Sequence, residues 1–260
     1  MLKIRIIPCL LLRNESLVKT VQFKKFGYIG DPANTCRIFN ELEADELAFL
    51  DIMASHEKRG PNYKILQEIA DECFMPLSYG GGIRGLQEAE RIFNIGFEKV
   101  VLNTYPFEDP NIISDLAKAF GSQSVIIAID VKKSFLGKYQ VFSLSGTDNK
   151  KKHPVEWAKE VQDRGAGEIV LTSIDREGTW KGFDLELTAQ VCKAVSIPVI
   201  ANGGAGCVEH IGDAVREGKA SAVALGSMVV YQGKELGVLV NFPEKEDLLK
   251  ALIPGSEKFG

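Results

Sequence analysis

Two glycine clusters stand at matched places in the chain, Gly80-Gly81-Gly82 and Gly203-Gly204. Each is followed by a second hydrogen-bonding pair, Asn103-Thr104 for the first and Gly226-Ser227 for the second. Glycine lets an anionic oxygen come close to backbone N–H groups, and the hydroxyl and amide side chains add donors, so the chemistry suggested is phosphate binding. The plain alternative is that the glycines only make tight turns. Recurrence at matched positions favours two cradles, and a ligand with a phosphate at each end fits them. The run Asp175-Arg-Glu-Gly178-Thr179 could add Asp175 and Gly178 to the second cradle. Between the clusters lies Asp130, a candidate general acid or base, or else a structural carboxylate bonded to loop amides. Asp51 is open to the same two readings. The three histidines, His56, His153 and His210, share no metal-ligand spacing, and neither a metal nor a cofactor is expected.

Positioning these residues falls to short, nearly all-apolar runs rich in Val and Ile, at 5–12, 46–51, 76–79, 99–102, 124–130, 168–171, 198–201 and 222–225. Such runs suit strands covered by helices. Stretches with helical periodicity lie between them, the last near 244–252. Eight strands alternating with eight helices predict a (β/α)₈ TIM barrel of the α/β class. An internal repeat supports a half-barrel duplication: Pro76 and Pro198 lie 122 residues apart, as do Glu46 and Glu168. The expected halves are about 1–120 and 121–245, in one domain spanning 1–260, with 253–260 a loose polar tail. In a barrel of this kind the residues after the strands carry function, which puts both cradles and Asp130 at one mouth. The stretch 13–30 reads as a long first βα loop, a lid or a solvated segment, bringing Arg13, Lys19, Lys24 and Lys25 within reach of phosphate. At the other face Arg5, Glu46, Lys99 and Glu168 each begin a strand, so two positive and two negative charges ring the barrel floor.

Composition narrows the function classes. The chain has 260 residues, 31 basic and 35 acidic, for a net charge of −4. That balance gives no reason to expect nucleic-acid or anionic-membrane binding. No apolar run approaches the roughly 18 residues of a spanning helix, and the N-terminus has no secretory cleavage pattern. Five cysteines, an odd count without a CxxC pair, fit a reducing cytoplasm.

Several runs resemble HisF, the cyclase subunit of imidazole glycerol phosphate synthase: those at 5–10, 44–47, 80–84, 103–104, 128–130, 171–179, 182–188 and 203–206. The resemblance keeps collinear order over nearly the whole chain. It implies that a HisH-like glutaminase docks at the N-terminal face, forming a heterodimer. Ammonia would pass through the barrel to a two-phosphate nucleotide at the mouth. It turns Arg5, Glu46, Lys99 and Glu168 from an ion-pair plug into the gate of that channel.

One departure from the family pattern matters. The family uses an aspartate pair at the ends of the first and fifth strands. The fifth-strand member matches Asp130, but the first-strand position is Leu11, which can neither take nor give a proton. Ser78-Tyr79 and Asn202 also replace the usual Thr-Val and Ser. Ammonia delivery without cyclisation fits this pattern, as in a HisF-like branch of bacterial surface-polysaccharide pathways. There the ammonia supplies a separate, ATP-dependent sugar amidotransferase that makes an acetamidine on a nucleotide-linked sugar. A true cyclase of histidine biosynthesis, and a silent barrel that only activates a glutaminase, are the competing readings.

Overall fold

A computed structural model describes residues 4–252, so the tail expected at 253–260 lies outside the described residues. Eight parallel strands pair in sequence order: β1 (Arg5–Arg13), β2 (Leu47–Asp51), β3 (Leu77–Gly80), β4 (Lys99–Leu102), β5 (Val125–Lys133), β6 (Glu168–Ser173), β7 (Val199–Asn202) and β8 (Ala222–Leu225). β8 returns to β1, with Arg5 opposite Ala222 and Pro8 opposite Leu225, so the sheet closes. The expected eight-stranded barrel is what forms. Its longer helices are α1 (Pro32–Glu41), α2 (Tyr63–Asp71), α3 (Leu86–Ile95), α4 (Asn111–Phe120), α5 (Pro154–Asp163), α6 (Leu185–Ala194), α7 (Val208–Arg216) and α8 (Lys245–Leu252), and a single helical turn, Ser227–Val230, directly follows β8. Among the described residues no helix is long and apolar enough to cross a membrane.

Local sequence explains where several helices begin. Asp31 accepts from the Asn34 amide at 2.8 Å and Pro32 opens α1, which satisfies one orphan N–H and removes another. Asp184 caps α6 in the same way through the Leu187 amide at 3.1 Å. The helices press Phe39, Ile69, Ile92, Leu116, Trp157 and Val191 onto the outer barrel wall, forming the main core. A second, separate cluster fills the barrel itself, including Ile7, Cys9, Ala48, Val101, Ala128 and Val170. Strand alternation makes the two cores: Arg5, Ile7, Cys9 and Leu11 share one side of β1, while Ile6, Leu10 and Leu12 join the outer core.

Two features differ from the sequence-based expectation. The stretch 13–30 is not a loop. After β1 the chain forms an antiparallel hairpin, Ser16–Val21 with Lys24–Gly30, whose first strand pairs with β1. Its turn places Gln22 and Phe23 at φ 53° and 60°. Such turns ordinarily advertise themselves by Asn-Gly or similar pairs, and none is present here. β5 likewise runs past Asp130 to Lys133 and folds back as a second hairpin with Tyr139–Ser143. Both hairpins rise from the C-terminal ends of their barrel strands.

Candidate functional site

The barrel floor is a closed ring of four side chains. Arg5 donates to Glu46 at 2.8 Å and to Glu168 at 3.0 Å, and Lys99 lies 3.1 Å from each of the same carboxylates. Each acid is therefore shared by two bases and each base by two acids. Four residues distant in sequence meet here because Arg5, Lys99 and Glu168 open their strands and Glu46 immediately precedes β2. Above the ring the interior is lined mainly by small and medium apolar side chains, with the buried Ser78 hydroxyl among them donating to the Leu47 carbonyl at 3.3 Å.

At the opposite end a cavity of about 900 Å³ opens at the strand C-termini. Nearly all the residues picked out from sequence line it: Gly81, Gly82, Asn103 and Thr104 on one side, and Gly178, Gly203, Gly204, Gly226 and Ser227 on the other. Asp130 and Lys19 line it too. Asp175 does not. Its carboxylate accepts from the Lys133 amide at 2.8 Å, outside the cavity lining, and ties the loop after β6 to the end of β5.

Asp130 projects into the cavity from β5 almost wholly enclosed. Asn103 Nδ2 donates to Asp130 Oδ2 at 3.2 Å. The Thr172 hydroxyl also bonds the Asp130 carboxyl, and Thr172 in turn accepts from Asn202 Nδ2 at 3.1 Å. Burial pushes the Asp130 carboxyl up to about 7. The Thr172 bond pulls in the opposite direction, and the charge of Glu177 adds to the rise. A carboxyl poised near neutrality, with neutral hydrogen-bond partners and an open cavity in front of it, can take or give a proton.

Leu11 also lines the cavity, only 8% exposed, on the same side of β1 as Cys9. It brings no ionisable group. The other strand-end carboxylate, Asp51, is fully occupied. It accepts from the Met53 and Ala54 amides at 3.0 and 3.1 Å and takes the Arg59 guanidinium in two bonds at 2.8 and 3.0 Å. Its role is structural: it shapes the loop after β2.

Sequence reading singled out Gly178 but passed over its neighbour Glu177. Glu177 is buried and lines the cavity. It accepts from the Thr20 hydroxyl and the Phe23 amide, both at 3.0 Å, and sits 4.0 Å from Lys19 Nζ. These contacts pin the first hairpin against the mouth and leave Lys19 on the cavity wall. Lys24 and Lys25, by contrast, are exposed on the hairpin's other strand. The same docking explains Gly178: at φ 70° a Cβ there would meet the Thr20 carbonyl oxygen at 2.4 Å. The signal for Glu177 was the acidic run 175–179 itself, but which carboxylate turns inward depends on the loop's path.

Comparison with known proteins adds an independent line. The model of a family described as "Histidine biosynthesis protein" matches residues 5–235. A Pseudomonas aeruginosa protein named "Putative imidazole glycerol phosphate synthase subunit hisF2" is 49% identical over 248 residues, covering 95% of this chain and 99% of the relative. A Leptospira borgpetersenii protein named "Putative imidazole glycerol phosphate synthase subunit HisF" is 48% identical, covering 98% and 100%. The Alkaliphilus metalliredigens "Imidazole glycerol phosphate synthase subunit HisF" is 44% identical, covering 87% and 90%.

Proposed function

The chain belongs to the family of histidine biosynthesis proteins, and from that premise we propose that it is a HisF-like subunit of a glutamine amidotransferase. In this reading a HisH-like glutaminase docks at the N-terminal face and releases ammonia beneath the ring of Arg5, Glu46, Lys99 and Glu168. Neutral ammonia then crosses the apolar barrel interior to the mouth. There the two cradles hold a phosphorylated ligand, and Asp130 exchanges a proton with the reacting centre. For the ammonia to pass, the ring must part, and Lys99 is the member whose single ammonium can leave both carboxylates together.

The observation that carries the finer reading is Leu11 facing the cavity where the family pattern expects an acid. Asp130 is then the only member of the pair at the mouth. Removing a positioned acid or base costs about 10²–10⁴-fold in rate. This favours delivery of ammonia to another acceptor, through a separate ATP-dependent amidotransferase that makes an amidine on a nucleotide-linked sugar in the cytoplasm. A second reading, the histidine-pathway cyclase itself, is favoured by one feature: Glu177 gives the mouth another buried carboxylate. Its oxygens are already engaged by Thr20, Phe23 and Lys19, which weighs against it as a free base.

The test is turnover of the two-phosphate histidine-pathway nucleotide by the protein with excess ammonium salt, beside Leu11→Asp. A silent wild type with activity gained in the variant supports the conduit. Ordinary turnover by the wild type makes the chain a cyclase and returns Glu177 to consideration.

A further inference from the structure

The second hairpin ends in a turn, Leu144–Thr147, that no motif in the sequence singled out, and three of its members line the cavity. It reaches across the mouth to elements far away in the chain. The Leu144 amide donates to Thr104 Oγ1 at 3.3 Å, just beyond β4. The Ser145 hydroxyl donates to the Ile52 carbonyl at 2.9 Å, just beyond β2. At Gly146 a Cβ would lie 3.0 Å from the Phe23 ring, so the tip of the first hairpin rests on the turn.

Leu144 and Ser145 both have φ 48°, and Gly146 has φ 78°. Two consecutive residues with a Cβ in the left-handed region are strained, and such strain persists only where surrounding contacts impose it. Local bonds close the turn, from the Gly146 amide to the Ser143 carbonyl and from the Thr147 amide to the Leu144 carbonyl, both at 3.1 Å. The two cross-mouth bonds to Thr104 and Ile52 then fix the turn on the side of the cavity that holds Gly81, Gly82, Asn103 and Thr104. One lone pair of the Thr104 hydroxyl takes the Leu144 N–H, which turns its own proton toward a different acceptor. In this structure it points to Asn103 Oδ1 at 3.3 Å, a long bond that a better acceptor can replace.

We propose that the Leu144–Thr147 turn is a further wall of the first cradle: it sets the Thr104 hydroxyl as a donor to an anionic phosphoryl group and covers that group once bound. The inference rests on the phosphate reading of the cradle and adds to it residues from a different strand. When the anion arrives, the Thr104 proton swings from Asn103 Oδ1 to the anion. The Leu144 bond stays and polarises the hydroxyl further. Asn103 keeps its two amide bonds, to Asp130 and to the Ala128 carbonyl.

Inorganic phosphate is the probe, titrated by calorimetry into the full chain, with Ser145→Ala and Thr104→Val beside it. Amide hydrogen exchange of residues 144–147 is followed with and without phosphate. The expected result is slower exchange of the Leu144 amide on binding. Affinity should fall about 3–10-fold in Ser145→Ala, the loss of one hydrogen bond that braces the wall, and further in Thr104→Val. If Thr104→Val weakens binding but Ser145→Ala does not, and exchange in the turn is unmoved, the cradle stands and the turn is no part of it. If the wild type binds no phosphate, or binds it equally in both variants, the cradle reading fails and this inference with it.

Discussion

The two ends of this barrel handle charge in opposite ways. At the floor, Glu46 and Glu168 each meet both Arg5 and Lys99, so the ring satisfies itself and needs no outside partner. At the mouth, Asp130 is enclosed without such a cation; its bonds go to the neutral Asn103 and Thr172. A balanced ring can be opened and reclosed without leaving a charge stranded for long, which suits a gate. A buried carboxyl short of countercharge is held ready to change protonation, which suits proton transfer. The same strand alternation supplies both ends, but only the mouth is built from residues that want something more.

The contrast can be broken at either end. Asp130→Asn should remove ammonia-dependent synthesis by about 10²–10⁴-fold while glutamine hydrolysis by the bound partner continues. Full synthesis in the variant would take Asp130 out of the mechanism. Lys99→Ala deprives both floor carboxylates of one cation, with an expected loss of about 1–3 kcal/mol in a denaturant titration. It should also uncouple glutamine hydrolysis from product formation, and unchanged coupling would make the ring a plug.

Asp130 also sharpens the contrast through pH. Its carboxyl ordinarily titrates at 3.8 but at about 7 in the folded chain. Between those values the folded state binds the extra proton, so this residue's contribution to stability falls as pH rises through the window and levels off above it. Asp130→Asn should therefore be the more stable protein on the alkaline side, by on the order of a few kcal/mol, and lose that advantage toward pH 3.8. Parallel stability curves would mean the carboxyl is not desolvated. An effect on stability like that of Lys99→Ala is expected at Gly178→Ala, where the left-handed backbone and the contact with Thr20 together cost about 1–3 kcal/mol. Faster proteolysis within the 16–30 hairpin should accompany it. An unchanged hairpin would show that the pairing with β1 and the Glu177 bonds hold the element without help from Gly178.

Much of this architecture was legible beforehand. The apolar runs located all eight barrel strands because buried parallel strands leave an unbroken hydrophobic signature. The glycine repeats pointed to the mouth because positive φ and close approach leave few other residues possible, as at Gly81 with φ 140° beside Asp51. The hairpin at 16–30 was not legible as one, since its turn uses Gln22 and Phe23 where a signalling glycine would be expected. The turn at 144–147 was equally silent: Leu144 and Ser145 carry no local preference for the positive φ that the turn requires and that the bonds to Thr104 and Ile52 help to hold.

What the sequence determined by itself is whatever depends on neighbours along the chain: strand and helix identity, the order of elements, the caps at Asp31 and Asp184, and the residue types available to the site. What only the tertiary structure decided depends on neighbours in space. Asp175 and Glu177 are two residues apart and both acidic, yet one braces a surface loop and the other lines the cavity. Asp51 and Asp130 both end barrel strands, yet one is saturated by Arg59 and loop amides and the other is left short of charge. Desolvation and hydrogen-bond competition are sums over everything that surrounds a group. No stretch of chain contains them until the barrel has closed.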